Sequence, residues 1–439
     1  MKTIALITFG CAKNLVDSEV MLGYLDRAGY LFVSDPAAAD IIILNTCGFI
    51  QPAKNEAEGA IQEAAARKVK DRGKKIIVTG CYSERYREAL QKKYPEVDDW
   101  IGVKDFDKIV QVVKDQDFAG SGETFLYSHA SPRFVSTPAG WAYIKISEGC
   151  SHQCAFCAIP LIKGTYRSRD TRSIVKEAEM LAARGVKEIN LISQDTTYFG
   201  RDASNKEGLS RLLQKLIDVR GIEWIRLLYG YPEEVTDPLL EVMQDPKICP
   251  YLDIPFQHSD TTLVQKMKRA MDGRRALKLL KKIRAKIPGI SIRTSLIVGF
   301  PGEGQKEFEG LVRFVQEAGF DHLGVFTYSP EEGTEAYSLG DPVPEKVKQN
   351  RKERILDLQT GISSENLKKY VAQTIDVLLE GAWQHDSHLL VGRSRFQAPE
   401  VDGCIFVDAP ESHGRLSSPL QKVEILSSDV YDLHGRFAQ

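Results

Sequence analysis

Residues 148–157 read EGCSHQCAFC, with three and then two residues separating Cys150, Cys154 and Cys157. Spacing this tight lets several thiolates face one point, which marks a metal or redox centre. Structural zinc and iron–sulfur sites usually take four protein ligands. Here there are three, so a fourth position stands open. The stretch directly follows WAYIKIS (141–147), an apolar run of strand type. Further strand candidates are VKEINLIS (186–193), IEWIRLLYG (222–230), YLDIPFQ (251–257), ISIRTSLIVGF (290–300) and HLGVFTYS (322–329). Helical patterns such as SIVKEAEMLAARG and EFEGLVRFVQEAG separate them. Six successive β-α units predict a β/α barrel, or part of one, with its chemistry at the carboxyl ends of the strands. The cysteine stretch then lies at that mouth.

Upstream, the same alternation runs with a different beat. KTIALITFG (2–10), ADIIILNT (39–46) and KKIIVTG (74–80) are strand-like, and each is followed by an amphipathic helical pattern. Such units predict a parallel sheet. Directly after the three strands come Cys11, Cys47 and Cys81, spaced by 36 and 34 residues, about one β-α unit each time. Open parallel sheets place ligands outside the carboxyl ends of their strands, so three such cysteines can converge on one point. Core thiols would lie within the strands; these lie in the turns FGCAKN, NTCGF and TGCYS. Cys249 and Cys404 have no such neighbours and read as ordinary core thiols.

Between the two α/β modules, residues 117–140 (DFAGSGETFLYSHASPRFVSTPAG) read as a connection. A charged helical pattern spans about 344–369. After it come short alternating strands, TIDVLLEG, HLLVGRSRFQ, CIFVD and QKVEIL, punctuated by Gly, Pro and Asp. They predict a small antiparallel barrel of OB-like size. The expected division is 1–120, 136–368 and 370–439, in an α/β chain ending in a β-barrel.

Composition limits the function classes. The 439 residues are 43% hydrophobic and 27% charged, as in ordinary globular proteins. No apolar run suffices for a membrane span, and the N-terminal apolar stretch is too short for a signal peptide. A cytoplasmic protein is expected. Eight cysteines are too sparse for a disulfide scaffold.

The C-x3-C-x2-C motif, with the aromatic Phe156 before its last cysteine, resembles that of the radical S-adenosylmethionine enzymes. The resemblance implies that Cys150, Cys154 and Cys157 hold three irons of a [4Fe–4S] cluster. S-adenosylmethionine itself then binds the fourth. The order of pieces along nearly the whole chain resembles the methylthiotransferases: three dispersed cysteines, a radical barrel, and a C-terminal TRAM barrel. That implies a second [4Fe–4S] cluster on Cys11, Cys47 and Cys81, again with one iron open. The barrel cluster would reduce S-adenosylmethionine to a 5′-deoxyadenosyl radical, and the other would carry sulfur methylated by a second S-adenosylmethionine. Replacing hydrogen on an unactivated carbon is beyond acid–base groups at accessible pKa values, so the cofactors carry the chemistry. No side chain is assigned as an acid or base. Phe156 resembles the adenine-packing aromatic. SLIVGFPGE (295–303), with Gly299, resembles the glycine-containing strand end near the adenine. Gln194 and Arg293 are candidate contacts to the methionine or ribose end, or else polar residues of the barrel rim.

Two branches of that family act on transfer RNA adenosines and on an aspartate of ribosomal protein S twelve. Residues 371–439 carry ten acidic against five basic residues, net −5 within a chain of net −2. An acidic barrel suits a basic protein better than phosphate. Against this stands 266–286, KMKRAMDGRRALKLLKKIRAK, with ten basic residues and one acidic. Its Leu277, Leu280 and Ile283 recur at helical spacing, which reads as a solvated helix face and leaves nucleic-acid contact open. GCAKNLVDSE, NTCGFI and GRSRFQAPEVDG resemble the ribosomal-protein branch. The expected partners are then ribosomal protein S twelve, on the subunit or an assembling particle, and a low-potential electron donor. The alternatives are a transfer-RNA methylthiotransferase and, in another class, a non-catalytic iron–sulfur carrier or scaffold.

Overall fold

The computed structural model describes residues 2–118, 120, 122–202, 208–409 and 418–438. Strands β1 (Thr3–Thr8), β2 (Leu31–Phe32), β3 (Ile41–Thr46), β4 (Lys75–Gly80) and β5 (Asp99–Trp100) form a sheet ordered β2-β1-β3-β4-β5. Every pairing is parallel. The central strand β3, IIILNT, is buried along its whole length, as expected of a strand covered on both faces. The edge strands β2 and β5 span two residues each, too short to register as a hydrophobic pattern.

A second sheet follows. Strand β6 (Trp141–Lys145) leads into a small antiparallel ladder of β7 (Ser147–Glu148) and β8 (Arg167–Ser168), which brackets the cysteine loop. Then come β9 (Glu188–Ile192), β10 (Trp224–Leu227), β11 (Ile248–Asp253), β12 (Ser291–Val298) and β13 (His322–Thr327). The order is β13-β12-β11-β10-β9-β6, parallel throughout, an open part-barrel of six strands. Alternate residues of β6 separate its two surfaces. Ala142 and Ile144 face outward into the helix-covered core, and Trp141 and Tyr143 face the concave side.

That concave side is covered by a helix of the first domain. In Ala12–Arg27, Ala12, Val16 and Val20 join Trp141, Tyr143, Trp224 and Tyr251, while Met21 and Leu25 pack on the helix's own sheet. A helix apolar on two sides is buried nearly all round, and Lys13, Asn14, Asp17, Ser18 and Glu19 are buried with it. The connection before β6 is tied to both domains. Arg133 pairs with Glu19 and Glu177, each at 2.6 Å, and Phe134 donates its N–H to the Glu19 carbonyl at 2.9 Å. Residues 119 and 121 of that connection lie outside the described residues.

The charged pattern is a helix, Glu345–Lys368. Strands β14 (Thr374–Trp383), β15 (Asp386–Arg393), β16 (Ile405–Asp408), β17 (Leu420–Ser428) and β18 (Leu433–Phe437) close into a barrel. Sequence reading found four of these; β18, LHGRF, escaped it because a glycine at its centre reads as a turn. The strand needs that glycine. A Cβ on Gly435 would lie 2.6 Å from both the Glu424 carbonyl oxygen and Val423 Cγ1. One pairing, β16 with β18, is parallel; the others are antiparallel.

The segment around 393–402 docks this barrel under the second sheet. Arg393 and Arg226 converge on Glu188 at 2.7 and 2.8 Å. Tyr251 donates to Asp402 at 2.7 Å, and His322 bonds the Phe396 carbonyl at 2.9 Å. Glu188 and His322 are the first residues of their strands. The C-terminal barrel therefore closes the amino end of the part-barrel, opposite the cysteine loop. Cys249 is fully buried and Cys404 half-buried, the latter donating to Asp432.

Candidate active site

The first three cysteines meet at the carboxyl ends of β1, β3 and β4. Cys11 is the N-cap of the helix Ala12–Arg27, and Cys81 opens the helix Cys81–Lys93. Gly10 has φ +93°, and a Cβ there would sit 2.7 Å from Cys47 Cβ. Only glycine lets the two turns approach so closely. Asn14 binds the loops together, donating to the carbonyls of Phe9 and Thr46 at 3.0 and 3.3 Å and facing Cys81 Sγ at 3.8 Å. Burial, then the neighbouring Cys11, pushes the Cys47 thiol up to about 11. Burial raises Cys81 further.

The second trio lies in the loop after β7. Burial lifts Cys150 to about 11 and Cys157 to about 12, against backbone N–H groups of His152 and Ile159 that favour the thiolates. The loop is clamped by Ala155, which donates to the Met267 carbonyl at 3.1 Å and accepts from Ala336 at 2.7 Å. Arg269 lies over the Tyr231 ring at 3.9 Å and reaches Cys154 Sγ at 3.8 Å. His152 stacks on Tyr231 at 3.8 Å and pairs with Asp195 at 2.6 Å.

All eight cysteines are free thiols. Among the described residues, no three His, Cys, Asp or Glu side chains gather tightly enough for a single metal ion. A multi-iron cluster places each thiolate on a different iron and asks for wider spacing. Backbone N–H groups beside Cys47, Cys150 and Cys157 favour the thiolate form that a cluster binds, against the burial that opposes it. Both trios fit an iron–sulfur cluster.

The other expected site residues separate into two groups. Phe156 packs on Leu263, Met267, Ile297, Phe300 and Tyr328 beside the loop. Gln194 donates to Glu148 at 2.9 Å, and its buried Oε1 has no partner, an acceptor left for a ligand's donor. Gly299 ends β12 with φ +77°, and a Cβ there would lie 2.4 Å from Lys348 Cγ. These three stand at the mouth with the cysteine loop. Arg293 does not. It is the third residue of β12, and its guanidinium is taken by Asp402 at 2.5 Å and the Val401 carbonyl at 3.2 Å.

Between the trios lies a buried quartet that the motifs did not reveal. Lys145 pairs with Asp17 and, at 2.6 Å, with Glu148; Lys163 pairs with Asp17 at 3.2 Å and Glu148 at 3.6 Å. Burial alone would raise the Glu148 carboxyl, but Lys145 and Lys163 outweigh it and hold it at about 2. Lys163 also lies within electrostatic reach of Cys81 and Cys11, so the quartet links one trio's surroundings to the other's. Lys145 was visible in principle, as a charge in an otherwise apolar buried strand.

Family models match along the chain: uncharacterized protein family UPF0004 over residues 3–102, the Radical SAM superfamily over 144–315, and the TRAM domain over 371–437. Over its full span the chain is 47% identical to the ribosomal protein uS12 methylthiotransferase RimO of Anaeromyxobacter sp. (strain Fw109-5), covering 98% of this chain and 92% of the relative. It is 45% identical to the protein of the same name from Aquifex aeolicus, covering 99% and 96%. The chain belongs to the RimO family of radical S-adenosylmethionine methylthiotransferases. It is an enzyme, and an iron–sulfur cluster and S-adenosylmethionine come with that membership. Among solved structures, a radical S-adenosylmethionine methyltransferase, TsrM from Kitasatospora setae, matches with TM-score 0.52 at 14% identity, over 74% of this chain and 73% of that one. That likeness speaks for the fold alone. Among the described residues, no helix is long and apolar enough to cross a membrane.

Proposed function

We propose that the chain inserts a methylthio group at the β-carbon of an aspartate in the small-subunit ribosomal protein uS12. In this reading Cys150, Cys154 and Cys157 hold one [4Fe–4S] cluster, and Cys11, Cys47 and Cys81 hold a second. What supports it is full-length membership in the RimO family, with the two trios set on either side of a buried quartet of Asp17, Lys145, Lys163 and Glu148 built from both domains. When bound, the clusters and S-adenosylmethionine supply one-electron cleavage, hydrogen abstraction and the transferred sulfur.

The chain's own residues bind and orient. Phe156 offers a flat apolar face and Gln194 an unpaired carbonyl oxygen, while Gly299 lets the Lys348 side chain pass close to the strand end. Arg293 holds Asp402 and so secures the TRAM barrel instead of a ligand. The quartet keeps two buried cations neutralised, and the helix Ala12–Arg27 over the concave face excludes water. An acidic TRAM domain suits a basic ribosomal protein. A low-potential electron donor is required, and a ribosomal target sets the work in the cytoplasm.

The test is an anaerobic competition with reconstituted enzyme, reductant and S-adenosylmethionine, offering small ribosomal subunits and unmodified transfer RNA together. Mass spectrometry should find the methylthio gain on an aspartate of uS12. A gain on adenosine would overturn the substrate and turn attention to the exposed cations of 266–286. Cys154→Ala should abolish cleavage of S-adenosylmethionine, and Cys47→Ala should spare part of it while eliminating sulfur insertion. Equal loss of both would count against two clusters with separate tasks.

A further inference from the structure

We infer that Lys13 receives the side-chain carboxylate of the target aspartate and thereby sets the preference for an acidic side chain. The inference rests on the substrate proposed above. Lys13 stands in the first turn of the helix that crosses the concave face, two residues after Cys11, and is 8% exposed. Its ammonium lies 3.2 Å from the centroid of the Tyr229 ring. Tyr229 is held in place by a left-handed backbone, φ +61°, and by its N–H, which donates to Asp253 at 3.1 Å.

Most charges around this space are matched, and the buried Asp253 carboxylate, which holds the Tyr229 N–H, acts on Lys13 and Arg293 from beyond ion-pair distance. Lys145 and Lys163 share Asp17 and Glu148, Arg293 has Asp402, and Arg269 has Glu233 at 4.0 Å. Among the described residues, no carboxylate lies within ion-pair distance of Lys13. A buried ammonium is costly unless paired, and an aromatic face compensates only in part. A carboxylate arriving with the substrate completes the pairing. It would also bring its neighbouring carbon beside the turn that carries Cys11. A target asparagine offers no charge and would forgo that gain.

The experiment uses reconstituted holoenzyme and small ribosomal subunits carrying either the target aspartate or asparagine in its place. Co-sedimentation measures binding, and mass spectrometry measures product. Wild type should prefer the aspartate subunits. Lys13→Met should weaken binding of aspartate subunits by about thirtyfold, leave asparagine subunits unchanged, and retain iron and reductive cleavage of S-adenosylmethionine. Lys13→Arg, which keeps the charge, should retain most of the preference, and Lys13→Gln, neutral but polar, serves in place of Lys13→Met if that variant fails to load iron. Undiminished preference in Lys13→Met, or a changed electron paramagnetic resonance signal of the N-terminal cluster with preference intact, overturns the inference, since the lysine would then serve the thiolates. Failure of the underlying substrate reading looks different: wild type itself would cleave S-adenosylmethionine and leave both kinds of subunit unmodified.

Discussion

Asp17 is the residue on which the junction of the first two domains turns. It is 2% exposed and bonded to both Lys145 and Lys163. Replacing one partner of a buried ion pair strands the other charge, at a cost of about 3–5 kcal/mol. Asp17→Ala should therefore lower stability by that order, read from the urea midpoint. Lys176→Ala, at an exposed pair on the helix Thr171–Ala183, should change it by less than about 0.5 kcal/mol. At this scale the six cysteines were legible because short motifs and strand-end spacing carry local information. Asp17, Lys13 and Glu148 were not. Their partners lie far off in sequence, and nothing near them signals that a helix of one domain roofs the concave face of another. Arg293 shows the same limit from the other side: its chemistry suited a ligand, but Asp402, distant in sequence, takes the guanidinium.

Among the elements, the basic stretch 266–286 is the clearest case of a pattern explained by its helix. In Gly273–Lys286, Ala276, Leu280 and Ile283 are buried in the outer core of the part-barrel, and Arg274, Lys278 and Lys281 are exposed. Leu280→Ala should cost about 2–5 kcal/mol, against under about 0.5 for Lys278→Ala, in denaturant titrations. Retained uS12 modification by Lys278→Ala/Lys281→Ala would assign the cations to solvation; a loss would assign them to ribosomal RNA. The helix Ala12–Arg27 is the opposite case. Its sequence reads as an amphipathic helix with one apolar face, yet it is buried on two sides because the part-barrel lacks the strands that would otherwise close over it.

For the whole molecule, the TRAM barrel is a closure of the part-barrel's amino end as well as an appended domain. Burial would raise Glu188 and Asp402, but Arg393 and Arg226 in the first case, and His322 and Arg293 in the second, hold both carboxyls below their ordinary values. A depressed folded-state pKa contributes stability that is fully present above the unfolded value of about 4 and is lost as pH falls through the folded one. The docking should be constant above about pH 5 and weaken progressively below about pH 4, seen as TRAM-selective hydrogen exchange. Arg393→Ala should expose the same surface at neutral pH, since Glu188 keeps only Arg226.

By itself the sequence determined the three-part order, the β-α alternation, the two cysteine trios and the chemistry they imply. These depend on periodicity and on spacing within or just beyond single elements. Tertiary structure alone decided which helix covers the concave face, which lysines and carboxylates lie between the trios, and which end of the part-barrel the last domain closes. Those outcomes depend on pairing buried charges across long stretches of chain, and the cost of leaving any one unpaired is settled only when all the partners are in place.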